Sequence, residues 1–389
     1  MISIITHSQW IKQTSNTTKT LHSIWFTNEH TGVIVGDSGT ILRTVDEGSV
    51  WTSISSGTIK NLNSVTFSSS GKGFAVGDGG IVLKSIDGGI TWTIINTHCP
   101  SENLYSVKFP TADTGFIVGD MGLVLKTLDG GSTWYCLLTI ILAPLYSAYF
   151  SDVDNGYYVG NASAGDSSKG FIYRTNEASF THMSENRTGL YSVSFPDVDT
   201  GFAVGEYSTI VKTTNRGITW DLLSHDSAYF FSSVWFINSN TGYLSGSDGI
   251  IKKTVDGGIN WNVSHSRTTQ LLRNIYFLNV DTGYAVGDSG TILKTNNGGV
   301  ISLENNISAE SVFMVYPNPA YDKIRIIPEK ESPEWLTLTI TNLSGTQNMS
   351  REFQNQKVYE LDLSSYSKGM YILKIQTRNG IECKKLVIR

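Results

Sequence analysis

The side chains in this sequence that could carry chemistry are mostly carboxylates, and they come in sets. One set stands in near-copies of "SIDGGITW" (85–92): Asp46, Asp87, Asp129 and Asp256, followed by Trp51, Trp92, Trp134 and Trp261, with Trp220 closing a copy that carries Asn215 instead. A second set follows Val-Gly-like pairs: Asp37, Asp78, Asp120, Glu206, Asp248 and Asp288. A third sits in "DVDNG" (152–156) and "DVDTG" (197–201). Carboxylates in such numbers could protonate a glycosidic oxygen or hold a hard cation. The third set fails the calcium-loop test, because the closing Glu is replaced by Ser163 and Ser208 and the sister segment is "NSNTG" (238–242), so turns are expected there. Nucleophile-elbow, phosphate-loop, dinucleotide and HExxH signatures are absent, and no catalytic residue, cofactor or metal is assigned.

What positions these residues is a repeat. Segments of the form L-x-S-V-x-F start at Leu21, Leu62, Leu104, Leu145, Leu190, Phe231 and Leu272, spaced 41, 42, 41, 45, 41 and 41 residues apart. Each leads into a TGFAVGD-like segment, a strand such as "IVLKS" and then the Asp-Gly-Gly-Trp element. Four short β-rich runs in a period near 40 are the pattern of a propeller blade, and seven of them make a ring. The seventh unit stops at "KTNNGG" (294–299) without a tryptophan, while the N-terminus holds an orphan "SQWIKQTS" (8–15). Trp10 to Thr14 is therefore expected to supply the outermost strand of blade seven. In the Asp-Gly-Gly-Trp element, glycine allows φ > 0, the acid holds turn N–H groups and the tryptophan wedges between blades. This set is structural.

Composition limits the remaining possibilities. A formal charge of −5, with 18 Lys/Arg against 26 Asp/Glu in residues 1–311, disfavours nucleic acid and other polyanions. Cys99, Cys136 and Cys383 share no metal-ligand spacing and are odd in number, so no disulfide framework is expected and stability is left to packing. The longest apolar run, "CLLTIILAPL" (136–145), is about half a membrane span and is expected to be a buried strand with its loop. No transmembrane segment is found, and the protein is expected to be a monomer.

Ser85, Asp87, Gly89, Thr91 and Trp92 fit the S-x-D-x-G-x-T-W pattern, and the units resemble the Asp-box, or bacterial neuraminidase, repeat. With the V-G-D-x-G segments and even spacing, residues 21–299 resemble the seven-bladed propellers of the photosystem II stability and assembly factors. That resemblance implies the fold and places the Asp boxes away from a catalytic face. Unit four departs most, with Glu177, His182 and an insert at 161–170.

After a polar linker (301–311) the pattern changes to alternating strands with turn residues, giving a small Ig-like β-sandwich over 312–389. Its Pro317, Asn318 and Pro319, then Gly369 and Tyr371, then Lys384, Lys385, Leu386 and Val387 resemble the type A sorting domain of the type IX secretion system of Bacteroidota. The resemblance implies delivery to the cell surface or beyond by that machinery. Such proteins also need an N-terminal signal peptide, which "MISII" does not provide. A segment preceding Met1 is therefore expected.

The expected architecture is all-β: a propeller over 8–300 and a sandwich over 312–389. Opposite the Asp boxes, the residue after each leading Leu varies, and His22, Tyr105, Tyr146, Tyr191 and Arg273 are the expected partner-binding face, extended by "ILAP" (141–144). The expected function is non-catalytic binding of a surface protein or glycan. The alternative is a sialidase-like glycoside hydrolase, whose three-arginine cluster is hard to assemble from Arg43, Arg174, Arg187, Arg216, Arg267 and Arg273. An exported protein has no role in assembling a photosystem, so that resemblance implies shared ancestry of the fold.

Overall fold

Each repeat makes a four-stranded antiparallel meander that cannot cover its own faces. In blade one the strands are Leu21–Phe26, Gly32–Gly36, Ile41–Thr44 and Thr52–Ile54. Every residue of Gly32–Gly36 is buried, because a blade is sandwiched between two neighbours and loses the in/out alternation of an ordinary antiparallel sheet. The computed structural model describes residues 10–137, 139, 141–162, 169–175, 179–182, 189–225, 228–299, 313–328, 333–342, 347–354, 356–378 and 380–389. Among these residues are seven such sheets, one per repeat, and blade seven packs its leading strand, Leu272–Phe277, on that of blade one. The result is a closed seven-bladed β-propeller.

Closure uses both ends of the repeat region. Ile11–Gln13 pairs antiparallel with Thr291–Thr295, placing Ile11 opposite Lys294 and Gln13 opposite Ile292. Trp10 is 1% exposed and sets its ring edge-on to Phe277 at 5.9 Å and 85°. Trp51 meets Phe26 at 6.2 Å and 82°, Trp134 meets Phe109 at 6.0 Å and 87°, and Trp261 meets Phe236 at 5.9 Å and 85°. Trp10 thus stands where blade seven's own sequence lacks a tryptophan.

The same aromatic joint recurs between blades. The phenylalanine at the end of a leading strand, or just after it in blade three, stacks on a ring of the preceding blade: Phe109 on Phe74 at 4.4 Å, Phe150 on Phe116 at 4.0 Å, Phe236 on Phe202 at 4.1 Å and Phe277 on Tyr243 at 3.7 Å. A lysine of the third strand covers the outer face of that ring, as Lys84 does over Phe74 and Lys253 over Tyr243. Its ammonium then donates to a turn carbonyl of the next blade: Lys84 to Gly130 and Gly131, Lys212 to Gly257 and Lys253 to Gly298.

The Asp-Gly turns are held as their residue types require. Asp87 Oδ1 accepts from the Ile90 and Thr91 N–H groups and the Ser85 hydroxyl, and Oδ2 accepts from Thr91 Oγ1 at 2.6 Å. Gly89 sits at φ 82° and donates its N–H to Ser85 Oγ. The segments "DVDNG" and "DVDTG" are Asx turns: Asp152 and Asp197 accept from the N–H groups two and three residues on, as Asn238 does in its sister blade. The linker 301–311 and most of the unit-four insert lie outside the described residues.

Two expectations are corrected. Cys99 and Cys136 form a disulfide with a Cα–Cα distance of 5.7 Å. They lie 37 residues apart: Cys99 is in the loop between blade two's outer strand and blade three's leading strand, and it meets Cys136 on blade three's outer strand; counting cysteines over the whole chain missed this because Cys383 belongs to the tail. The run "CLLTIILAPL" does not begin as a buried strand: Tyr135–Leu137 is a blade's outermost strand, with Leu137 39% exposed.

The C-terminal unit is a separate β-sandwich of a three-stranded and a four-stranded sheet. Its core includes Phe313, Ile324, Ile326, Leu338, Tyr359, Leu373 and Leu386.

Two measurements test these joints. Trp10→Ala should cost about 3–5 kcal/mol in urea unfolding, because it removes a buried ring and frees a blade edge; a loss below about 1 kcal/mol would mean that the ring closes without this strand. The Asp87 carboxyl is held down to about 2, first by the Thr91 hydroxyl and then by the Thr91 N–H. A carboxyl depressed in the folded state contributes stability above its unfolded value near 3.8 and loses it as pH falls towards 2. The urea-midpoint gap between the parent and Asp87→Ala should therefore close over that interval; a constant gap would assign the effect to something other than the charge.

Candidate functional site

The seven leading strands line one central cavity of about 670 Å³. In each, the residue after the first is the extra residue of a β-bulge: pairing jumps from Leu104↔Gly119 to Ser106↔Val118 around Tyr105, and likewise around His22, Tyr146, Tyr191 and Arg273. A bulge re-aims a side chain, and here all five of the residues singled out from sequence are brought into the cavity wall.

The Val-Gly-Asp segment fixes what lies behind them. A Cβ on Gly36 would lie 2.1 Å from the Thr20 carbonyl oxygen, so only glycine permits the approach that lets the Asp37 N–H donate to that oxygen at 2.9 Å. The carboxylate then lies beside the bulged residue. His22 Nε2 is 2.7 Å from Asp37 Oδ1, the Tyr105 hydroxyl donates to Asp120 at 3.0 Å, Tyr191 to Glu206 at 3.0 Å, Asn63 to Asp78 at 2.9 Å and Arg273 Nε to Asp288 at 2.9 Å. The carboxylate set and the variable set are thus one paired structure. Asp248 stands one position late, in the φ-positive place of its turn, with Ser247 at the position of the other acids.

Tyr105, Tyr146 and Tyr191 form a continuous aromatic shelf over blades three to five. Tyr146 stacks on Tyr191 at 4.6 Å and 12° and tilts against Tyr105 at 5.3 Å, and Phe230 meets Tyr191 edge-on at 4.8 Å. Burial pushes all three phenols up, and the neighbouring carboxylates Asp120 and Glu206 push them further, so they remain neutral donors at physiological pH. The "ILAP" loop contributes little to this face: Ile141 and Ala143 are buried in the joint of blades three and four, and Leu142 is exposed.

Below the bulges runs a tier of small polar residues that clamps blade to blade. Val65 N–H donates to Ser23 Oγ, Val107 to Ser64, Val234 to Ser192, Ile275 to Ser233, and Ile24 to Asn274 across the closure. Below it, the fifth position of each strand brings Trp25, Lys108, Tyr149, Trp235 and Tyr276 into the same cavity. Sequence reasoning missed Lys108, although its register with the tryptophans was a usable signal.

In the tail, two motifs far apart in sequence form one structure. Asn318, between Pro317 and Pro319, donates Nδ2 to the Lys385 carbonyl at 2.6 Å and accepts the Val387 N–H at 2.9 Å. Ala320 N–H continues this to the Val387 carbonyl at 2.8 Å. On its other side the terminal strand pairs with Gly369–Thr377, setting Gly369 opposite Ile388, Met370 opposite Val387 and Tyr371 opposite the buried Leu386. The Tyr371 hydroxyl donates to the Ser367 carbonyl at 2.8 Å, Lys384 lies 3.1 Å from Glu382, and Lys385 is exposed.

Seven four-stranded blades around an open cavity, followed by a sandwich that holds its last strand in this way, define a seven-bladed β-propeller with a C-terminal sorting domain. Residues 2–99, 51–185 and 175–265 match the photosynthesis system II assembly factor YCF48 family, and the chain belongs to it. Residues 314–389 match the secretion system C-terminal sorting domain, which marks the protein for type IX secretion or attachment at the cell surface. Similar solved structures include YCF48 bound to D1 peptide (21% identity, TM-score 0.62, covering 74% of this chain and 95% of that one) and YCF48 from Cyanidioschyzon merolae (21%, 0.62, 74% and 98%). U3-55K has the same shape at 7% identity, with a TM-score of 0.61 and coverage of 74% and 98%. No curated protein matches the chain. Among the described residues, no helix is long and apolar enough to cross a membrane.

Asn318→Ala removes both side-chain bonds to the terminal strand. It should raise amide exchange at Val387 about tenfold or more and reduce surface delivery of the protein in a type IX-competent host. Unchanged exchange would show that Ala320 and the Gly369–Thr377 pairing hold the strand without Asn318.

Proposed function

We propose that the protein is an exported, non-catalytic binding propeller that captures a surface protein or glycan at the cavity mouth. The observation that carries this reading is the Tyr105–Tyr146–Tyr191 shelf, three rings in contact on bulged positions, with His22 of blade one and Arg273 of blade seven on the other side of the same cavity. Aromatic rings held by neighbouring blades give large contact area with little conformational entropy left to lose. The relative solved with a D1 peptide shows a propeller of this shape holding a peptide, which supports a protein partner here. The type IX machinery is the partner of the sorting domain, and the mouth serves the exported product.

The sialidase-like alternative has one feature in its favour, the Tyr191–Glu206 pair. Against it, Arg273 is the one arginine among the residues lining the cavity, and Asp288 already occupies it through Nε at 2.9 Å. A carboxylate sugar would find no arginine cluster to grip it.

A glycan array and a displayed-peptide library, run beside a sialoside hydrolysis screen on the full chain, separate the two. Saturable binding without turnover is expected, weakened at least about tenfold by the triple change Tyr105→Ala, Tyr146→Ala, Tyr191→Ala. Binding that survives the triple change would place the site elsewhere, and turnover would establish the hydrolase.

A further inference from the structure

The floor of the cavity is built differently from its mouth. Lys108 ends the leading strand of blade three and lines the cavity. The other lysines of the inter-blade joints lie over aromatic rings, and Lys84, Lys212 and Lys253 also donate to carbonyls. Lys108 has neither: among the described residues it makes no hydrogen bond, ion pair or ring contact, and burial alone pushes its ammonium down. Among the described residues no Asp or Glu lines the cavity; Arg273 has its carboxylate, Asp288, behind it, as His22 has Asp37, and none is paired with Lys108. An unpaired cation at this depth is costly, and a bound anion relieves the cost.

Two further features converge on the same spot. In the serine tier, Ser23, Ser64, Ser192 and Ser233 each accept a backbone N–H from the next blade. Ser106 and Ser147, on blades three and four beside Lys108, line the cavity with hydroxyls unused by any described residue. Across the ring from blade three, blades six, seven and one present an aromatic arc: Trp235 against Tyr276 at 4.7 Å and Tyr276 against Trp25 at 5.5 Å. One side of the cavity therefore offers an ammonium and two hydroxyl donors, and the other a wall of three rings.

We propose that the floor of the channel binds a small organic carboxylate on a planar aromatic body, with the carboxylate at Lys108, Ser106 and Ser147 and the ring against Trp25, Tyr276 and Trp235. A carboxylate accepts charge-assisted bonds from ammonium and hydroxyl donors, while the arc buries the ring, the division of labour usual in small-molecule pockets. The net negative charge of the chain repels anions at long range, but selectivity here is set by the local field of a cavity whose own charged lining is cationic.

The test uses the full chain with indole-3-acetate and its uncharged counterpart indole-3-acetamide, measured by calorimetry. The acid should bind one to one and at least about tenfold tighter than the amide. Lys108→Met should abolish that preference while leaving amide binding in place, and Lys108→Arg should keep it. Equal binding of acid and amide to the unaltered protein, an acid preference that survives Lys108→Met, or no binding of the acid at millimolar concentration would overturn the proposal. The acid–amide comparison needs no variant and so does not depend on how Lys108→Met folds. This site differs from the mouth in residues and ligand, so its failure leaves the tyrosine-shelf reading standing.

Discussion

The stack of lysine, ring, phenylalanine and tryptophan between neighbouring blades is the interaction on which the rest of the molecule depends. A blade alone is a four-stranded sheet with apolar residues on both faces, too small to be stable by itself. The joint supplies shape as well as area, because the phenylalanine can stack on the preceding ring only when the blades meet at one angle, and the tryptophan edge fixes the remaining freedom. The lysine bond to a turn carbonyl then locks blades two, five and six to their successors. Where the sequence departs, the joint adapts: between blades one and two the preceding ring is replaced by Val33, packed with Phe67 and Trp92, and Arg43 Nε takes the lysine's place on the Gly88 carbonyl at 3.0 Å.

Because packing is completed between the blades and by the serine tier, the bulged side chains above that tier can vary. The serine tier fixes the backbone of the leading strands, and the bulge above it turns one residue per blade to the cavity without disturbing the ladder below. A single backbone solution therefore carries His, Asn, Tyr, Ser or Arg at equivalent positions. Where a carboxylate stands behind the bulge it matches its residue, accepting from a phenol in blades three and five and from a guanidinium in blade seven. What varies around the mouth is thus the pair, acid and partner together.

Much of this was legible in the sequence. The 41-residue spacing gave seven blades, and the orphan Trp10 with the missing tryptophan of unit seven pointed to the closure. The five mouth residues were found because variation on a regular frame stands out. Their pairing with the carboxylates was not legible, since strict strand alternation does not show that a bulge turns Tyr105 towards Asp120. Lys108 was hidden for a related reason: one lysine among fifth-position residues as different as Trp25, Thr66 and Ser194 reads as solvated unless all seven positions are placed in one channel. The disulfide was lost to a count over two units, when Cys99 and Cys136 alone lie in consecutive repeats.

Export adds a constraint that the propeller meets in its own way. A protein sent through the type IX route passes an oxidising compartment, where a disulfide forms and persists. The Cys99–Cys136 bridge ties the loop between blades two and three to the outer strand of blade three, and blade three carries both Tyr105 on the shelf and Lys108 on the floor. The neighbouring outer strand, Thr93–Ile94, is two residues long, too short to hold that edge by backbone bonds alone. A covalent tie at the rim therefore steadies the blade on which both proposed sites depend, and it does so without occupying any position in the cavity.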